Sequence, residues 1–140
     1  MSRPASPFFV LIALGFSTPG LPAQTYPDRP IRFIVPFAPG GTNDIVARLV
    51  AAKLYDALGQ PVVVDNRGGA GGVIGTELGA KATPDGYTLL MANVNLATNP
   101  ALVKKLPYDT LKDLSAVSLL ATSPTVLVVS LSPPVKTVSE

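Results

Sequence analysis

A chain of 140 residues with no cysteine and no histidine can form one domain, and it lacks the usual thiol nucleophile, imidazole base and transition-metal ligand. The missing cysteines also exclude a disulfide framework, an iron–sulfur site and a lipid-modified cysteine anchor. Eleven basic and nine acidic residues are scattered rather than blocked, so a pI near 9.0 reflects near-neutral balance and carries no nucleic-acid signature.

Arg3 precedes the apolar run Phe8–Phe16, and Pro19–Ala23 follows, with Ala23 just before a candidate cleavage point. Residues 1–23 are therefore expected to be a cleavable secretory signal peptide, too short and wrongly flanked for a membrane span. Export without disulfides fits the bacterial periplasm. Residues 24–30 read as an N-terminal linker. Ile31–Val35 is a β-branched run ending at Pro36, as in a buried parallel strand. Thr42 or Asn43 can cap a helix over Asp44–Leu58, and Asp44 suits the positive end of its dipole. The spacing puts Ile45, Leu49 and Ala52 on the expected buried side, beside Val46, Val50, Leu54 and Leu58. Gly59 and Pro61 stop that helix.

Val62–Val64 is a second predicted strand, and Val73–Ala82 a second helix whose Gly75 and Gly79 permit close packing. After the turn at Pro84–Gly86 comes a third strand, Tyr87–Ala92. Asn93–Asn99 reads as a short polar connection, and Pro100–Lys104 and Leu111–Leu114 as helical turns. Val117–Ala121 and Thr125–Leu131 read as further strands. Strand and helix in alternation predict an α/β fold with a parallel sheet and right-handed crossovers. Ligands of such sheets gather beyond the carboxyl ends of the strands.

Two glycine-rich loops leave that edge, PFAPGGTND from Pro36 and DNRGGAGGVIG from Asp65. The second does not fit G-x-G-x-x-G, because Ile74 stands where a small residue is required, and no Walker lysine follows. Glycines that admit a close approach, each followed by a helix N-terminus, suit a small anion instead, and two side by side suggest a carboxylate-binding cleft. Each residue also has a bland reading. Pro39–Thr42 can be a tight turn, Asp44 a dipole partner, Arg67 an ion pair with Asp65, and Asn93 and Asn95 turn residues. The competing class is an α/β hydrolytic or phosphate-handling enzyme. It would need a base that the chain does not offer: there is no G-x-S-x-G elbow, and Lys81 and Tyr87 have no activating neighbour in sequence.

The segments YPDRPIRFIVPFAPGGTNDIVAR, VVVDNRGGAGGVIGTELGAKATPDGYTLLMA, NPALVKKLPYDTLKDL and SPTVLVVS together resemble the Bug (TctC-like) extracytoplasmic solute receptors of tripartite tricarboxylate transporters, from Tyr26 to the last residue. The resemblance implies a periplasmic binding protein-like (type II) fold of two lobes. It also implies a small carboxylate solute held largely by main-chain groups, membrane permease subunits as partners, and a full-length monomer without cofactor. By match of motif, the implied ligand-binding positions are Gly40, Gly41, Thr42, Asp44, Gly69, Ala70, Gly71 and Gly72, with Phe37 and Asn93 as further transfers. Gly68 departs from the family's usual proline and Val73 from its frequent asparagine. Family members are longer, so residues 31–131 are expected to form most of a first lobe, with the crossover to a second beginning at 132–140. Alone, such a piece is expected to leave strands such as Val126–Val129 uncovered, to aggregate, and not to bind measurably.

Overall fold

The computed structural model describes residues 26–124, 126 and 128. Three parallel strands, β1 (Ile31–Val35), β2 (Val62–Asn66) and β3 (Thr88–Leu90), form one sheet in the order β2-β1-β3. The register sets Phe33 beside Val64 and Leu89, and Ile34 beside Asp65 and Leu90. The connections are helices α1 (Thr42–Leu58) and α2 (Val73–Ala80), and α3 (Val94–Leu102) follows β3. The expected α/β architecture is present.

Each face of the sheet is covered by a different helix. On one, Phe33, Val35 and Met91 pack with Ala47 of α1, and Phe37, Val46, Val50, Val62, Val64 and Leu89 surround them. Small side chains set this contact. Ala47 and Ala51 are buried, whereas Ile45 and Leu49 are 54% and 66% exposed and Ala52 is exposed too, which overturns that part of the expected inward face, while the adjoining Val46 and Val50 do pack inward. The apolar residues of α1 cover more than one stripe, and the stripe with alanines lets the helix axis come closest to the strands. On the other face α2 approaches through its glycines, with Gly75 against Pro36 and Arg67 and Gly79 against Leu90.

Other expectations need adjustment. β2 runs on to Asn66 and β3 is confined to Thr88–Leu90. The polar connection expected at Asn93–Asn99 is helical, because the Asn93 side chain accepts from Asn95 N–H at 2.9 Å and caps α3. Pro100 sits inside this helix and cannot donate to Leu96 O; the Thr110 hydroxyl donates to that carbonyl at 3.4 Å instead. Leu111–Leu114 is a turn rather than a helix, with Leu111 N–H donating to Asp109 Oδ1 at 3.0 Å and Asp113 N–H to Asp109 O at 2.9 Å. Val117–Ala121 forms no strand, and Val117 and Leu119 are exposed. The segments 1–23 and 132–140, and most of Thr125–Leu131, lie outside the described residues.

The stretch before β1 is tied to the turn before β3. Tyr26 O–H donates to Gly86 O at 2.7 Å, Tyr87 O–H donates to Asp28 Oδ1 at 2.6 Å, and Arg29 pairs with Asp85 at 2.7 Å while stacking on the Tyr87 ring. Tyr87 and Lys81, the side chains an enzyme reading needed, are thus engaged away from the glycine loops, Lys81 with Glu77.

The approach of α2 is testable. A methyl group at Gly75 would stand 2.6 Å from both Arg67 O and Pro36 Cα, main-chain atoms that cannot swing aside. Gly75→Ala should cost about 3 kcal/mol through overpacking. At Gly79 the nearest atoms are 3.2–3.3 Å away in the Leu90 side chain, which can yield. The gain in helix propensity, about 1 kcal/mol, should leave Gly79→Ala near wild type. Urea unfolding midpoints check this, and equal losses in the two variants would contradict it.

Candidate functional site

Parallel pairing sends the chain out of β1 and β2 at the same edge. The loop 36–41 leads into α1 and the loop 67–72 into α2. They touch. A Cβ on Gly68 would lie 3.3 Å from Ala38 N, and one on Gly72 would lie 3.4 Å from Phe37 Cζ. The third exit joins them, since Asn95 Nδ2 and Asn99 Nδ2 donate to Gly71 O at 3.0 and 3.4 Å.

The backbone of the second loop is unusual. Gly69, Ala70, Gly71 and Gly72 have φ of 129°, 47°, 63° and 89°. Glycine accepts these values freely, but Ala70 pays about 1–2 kcal/mol for its left-handed conformation. Strain of this kind collects at binding sites. The N-cap positions are Gly41 for α1 and Gly72 for α2, and neither has a side-chain cap. Both helices therefore point positive ends at this edge without a side-chain acceptor over their first turns.

Asp44 ties the first loop to the end of β2, from which the second loop leaves. The residue is only 4% exposed. Oδ2 accepts from Gly40 N–H at 2.8 Å and from Arg48 Nε at 3.0 Å, and Oδ1 accepts from Asn66 Nδ2 at 3.0 Å. Asn66 Nδ2 also donates to Phe37 O at 3.2 Å, and Arg48 Nη2 donates to Asn66 Oδ1 at 3.2 Å. The Arg48 guanidinium and the Gly40 amide overcome the burial penalty and hold the Asp44 carboxyl at about 2, below its ordinary 3.8.

The residues singled out from sequence divide into groups. Gly40, Gly41, Gly69, Ala70 and Gly71 are exposed on the two loops, Thr42 is exposed at the start of α1, and Gly72 is buried where the second loop enters α2. Phe37 is half-buried and leans on Gly72. Asn93 caps its own helix. Arg67 is turned to Asp65 at 2.8 Å, and Arg32 donates to the same carboxylate. Sequence reasoning missed Asn66 and Asn99. An asparagine closing a β-branched strand, and another inside a helix, were the available signals, but no spacing rule links either to a loop many residues away. An open depression of about 330 Å3 lined by Pro30, Ile31, Arg32, Val63, Val64 and Asp65 includes none of these loop residues.

Linkage gives the Asp44 network a pH signature. A carboxyl at about 2 when folded and 3.8 otherwise contributes stability that is complete above 3.8 and is lost as pH falls toward 2. Acid unfolding of the wild-type chain should steepen across that window, and Asp44→Asn should remove the extra slope. Equal slopes in the two proteins would contradict the role of Asp44.

Comparison with known proteins places the chain in a family. Residues 46–140 match the family model described as tripartite tricarboxylate transporter family receptor, TctC. Protein BugT of Bordetella pertussis is 48% identical over 130 residues, covering 91% of this chain and 40% of that protein. The structure of the periplasmic binding protein BugD superposes with a TM-score of 0.61 at 46% identity, over 63% of this chain and 29% of that one. MatC from Rhodopseudomonas palustris, solved with bound malate, gives a TM-score of 0.60 at 40% identity, over 68% of this chain and 33% of that one. The chain thus spans about two fifths of the length of the first of these relatives. Its fold is that of part of a periplasmic binding protein, and the chain belongs to the Bug/TctC family of tripartite tricarboxylate transporter receptors.

Proposed function

We propose that this chain supplies the first lobe of a periplasmic receptor that takes up a small carboxylate and presents it to the permease of a tripartite tricarboxylate transporter. The observation that carries the reading is the meeting of two helix N-termini, both without side-chain caps, on one sheet edge. Their main-chain N–H groups, with the Thr42 hydroxyl, suit carboxylate oxygens. The malate bound to MatC supports the same chemistry by kinship.

In this reading the exposed Gly41, Thr42, Gly69, Ala70 and Gly71 meet the ligand, while Gly40, whose N–H goes to Asp44, and the buried Gly72, whose N–H goes to Gly69 O, shape the two loops around it. Asp44 works behind them: three internal donors already occupy its oxygens, so it fixes the first loop rather than contacting solute. Arg48 neutralises that carboxylate and so prevents it from repelling an anionic guest. Phe37 shapes the apolar side of the hollow, and Asn93 fixes the start of α3. No step of bond chemistry is called for. Binding from one side only is weak; in place of the lack of measurable binding expected from the sequence, the meeting of both loops at one edge supports a carboxylate held by this chain alone in the millimolar range, about −4 kcal/mol.

The test is a chimera in which residues 26–140 replace the matching part of BugT, titrated calorimetrically with malate, succinate, citrate and the uncharged diamide of malate. A hydrogen bond to a charged group contributes about 1.5–3 kcal/mol, so the diamide should bind at least about tenfold more weakly than the best carboxylate. A folded chimera that binds none of the three acids would overturn the proposal.

A further inference from the structure

The second glycine loop is held at one of its carbonyls by donors that neither its own residues nor α2 supplies. The peptide group between Gly71 and Gly72 is engaged on both sides. Its N–H donates to Gly69 O at 2.9 Å, and its carbonyl accepts from Asn95 Nδ2 at 3.0 Å and Asn99 Nδ2 at 3.4 Å. The flanking residues are both glycines with positive φ, 63° and 89°. A peptide between two glycines is the one that rotates with least steric resistance, because neither neighbour has a Cβ to obstruct it. Rotation here would take the carbonyl from two amide donors and the N–H from Gly69. It would thereby open the 3-10 turn Ala70–Gly72 that feeds α2.

One of the two donors, Asn99, is costly to place where it is. Asparagine is a poor residue for a helix interior, and Asn99 is buried to 7% exposure. Asn95 and Asn99 stand four apart, so they project from one side of α3 and converge on one acceptor. Left without that acceptor, the buried Asn99 amide would be a donor cut off from water, so the pairing resists disruption from both partners.

We propose that Asn95 and Asn99 are positioning residues that lock the Gly71–Gly72 peptide against rotation and so preorganise the second loop for a carboxylate. This rests on the carboxylate reading of the site. A loop already fixed loses less freedom on binding, so the lock acts on affinity without touching the ligand.

The test is hydrogen–deuterium exchange on the full chain, resolved over residues 66–75, with and without 100 mM succinate. Asn95→Asp and Asn99→Asp keep side-chain volume but remove the donor. Asn95→Asp leaves a buried site untouched, so it reports even where Asn99→Asp is poorly folded. Each variant should speed exchange of the Gly72 N–H by about tenfold while α1 amides keep their wild-type rates. Each should also abolish the slowing that succinate causes in the wild-type loop, and Asn95→Gln should restore part of both. Unchanged Gly72 exchange would overturn the lock. Faster Gly72 exchange with an undiminished succinate effect would overturn its role in binding. A wild-type loop indifferent to succinate would overturn the carboxylate reading and the positioning role with it, and the Gly72 rates would still separate that failure from failure of the lock.

Discussion

Parallel pairing of β1 with β2 obliges both loops to leave at one edge, but it does not decide where the loops point. That decision falls to the buried carboxylate of Asp44, which draws in the Gly40 amide, the Asn66 side chain and Arg48 together. A carboxylate placed in a nearly dry position is tolerable only when its lone pairs are used and its charge is answered, and both conditions hold here. Because Asn66 also grips Phe37 O, the first loop is tied to the end of β2 rather than only to its own helix. The second loop then packs on the first through Gly68 and Gly72.

The electrostatics follow from that joint. Asp44 lies in the first turn of α1, where a free negative charge would cancel the helix dipole and disfavour an anionic guest. Pairing with Arg48 one turn later spends the charge internally. What remains at the edge is the partial positive character of helix ends capped by glycine, which is directional and suited to carboxylate oxygens. Two glycines as caps, in place of the usual serine or aspartate, bring no side-chain acceptor; at α2 the Gly72 and Val73 N–H groups go to the carbonyls of Gly69 and Ala70, and the other first-turn N–H groups have no side-chain partner.

Much of this was legible in the sequence, and the reasons for the rest are physical. The β-branched runs announced β1 and β2, and the glycine clusters between strand and helix announced both loops, because those signals are local. The inward face of α1 was misread because Ile45 and Leu49 are more apolar than Ala47 and Ala51, yet closeness to the sheet favoured the smaller pair. α3 was hidden by its asparagines and by Pro100, whose missing donor is replaced by Thr110 from beyond the helix. Asn66 and Asn99 were invisible as site residues for the same reason: their partners, Asp44 and Gly71, are distant in sequence, and only the fold brings them together.

The convergence of the two loops on one anion is tested most directly by amide proton–nitrogen shifts of the isotope-labelled chain during a succinate titration. The account predicts that Gly41 and Thr42 of the first loop shift together with Gly69–Gly72 of the second, along curves with a single midpoint, while the neutral diamide shifts neither. Shifts confined to one loop, or two loops following different midpoints, would contradict it.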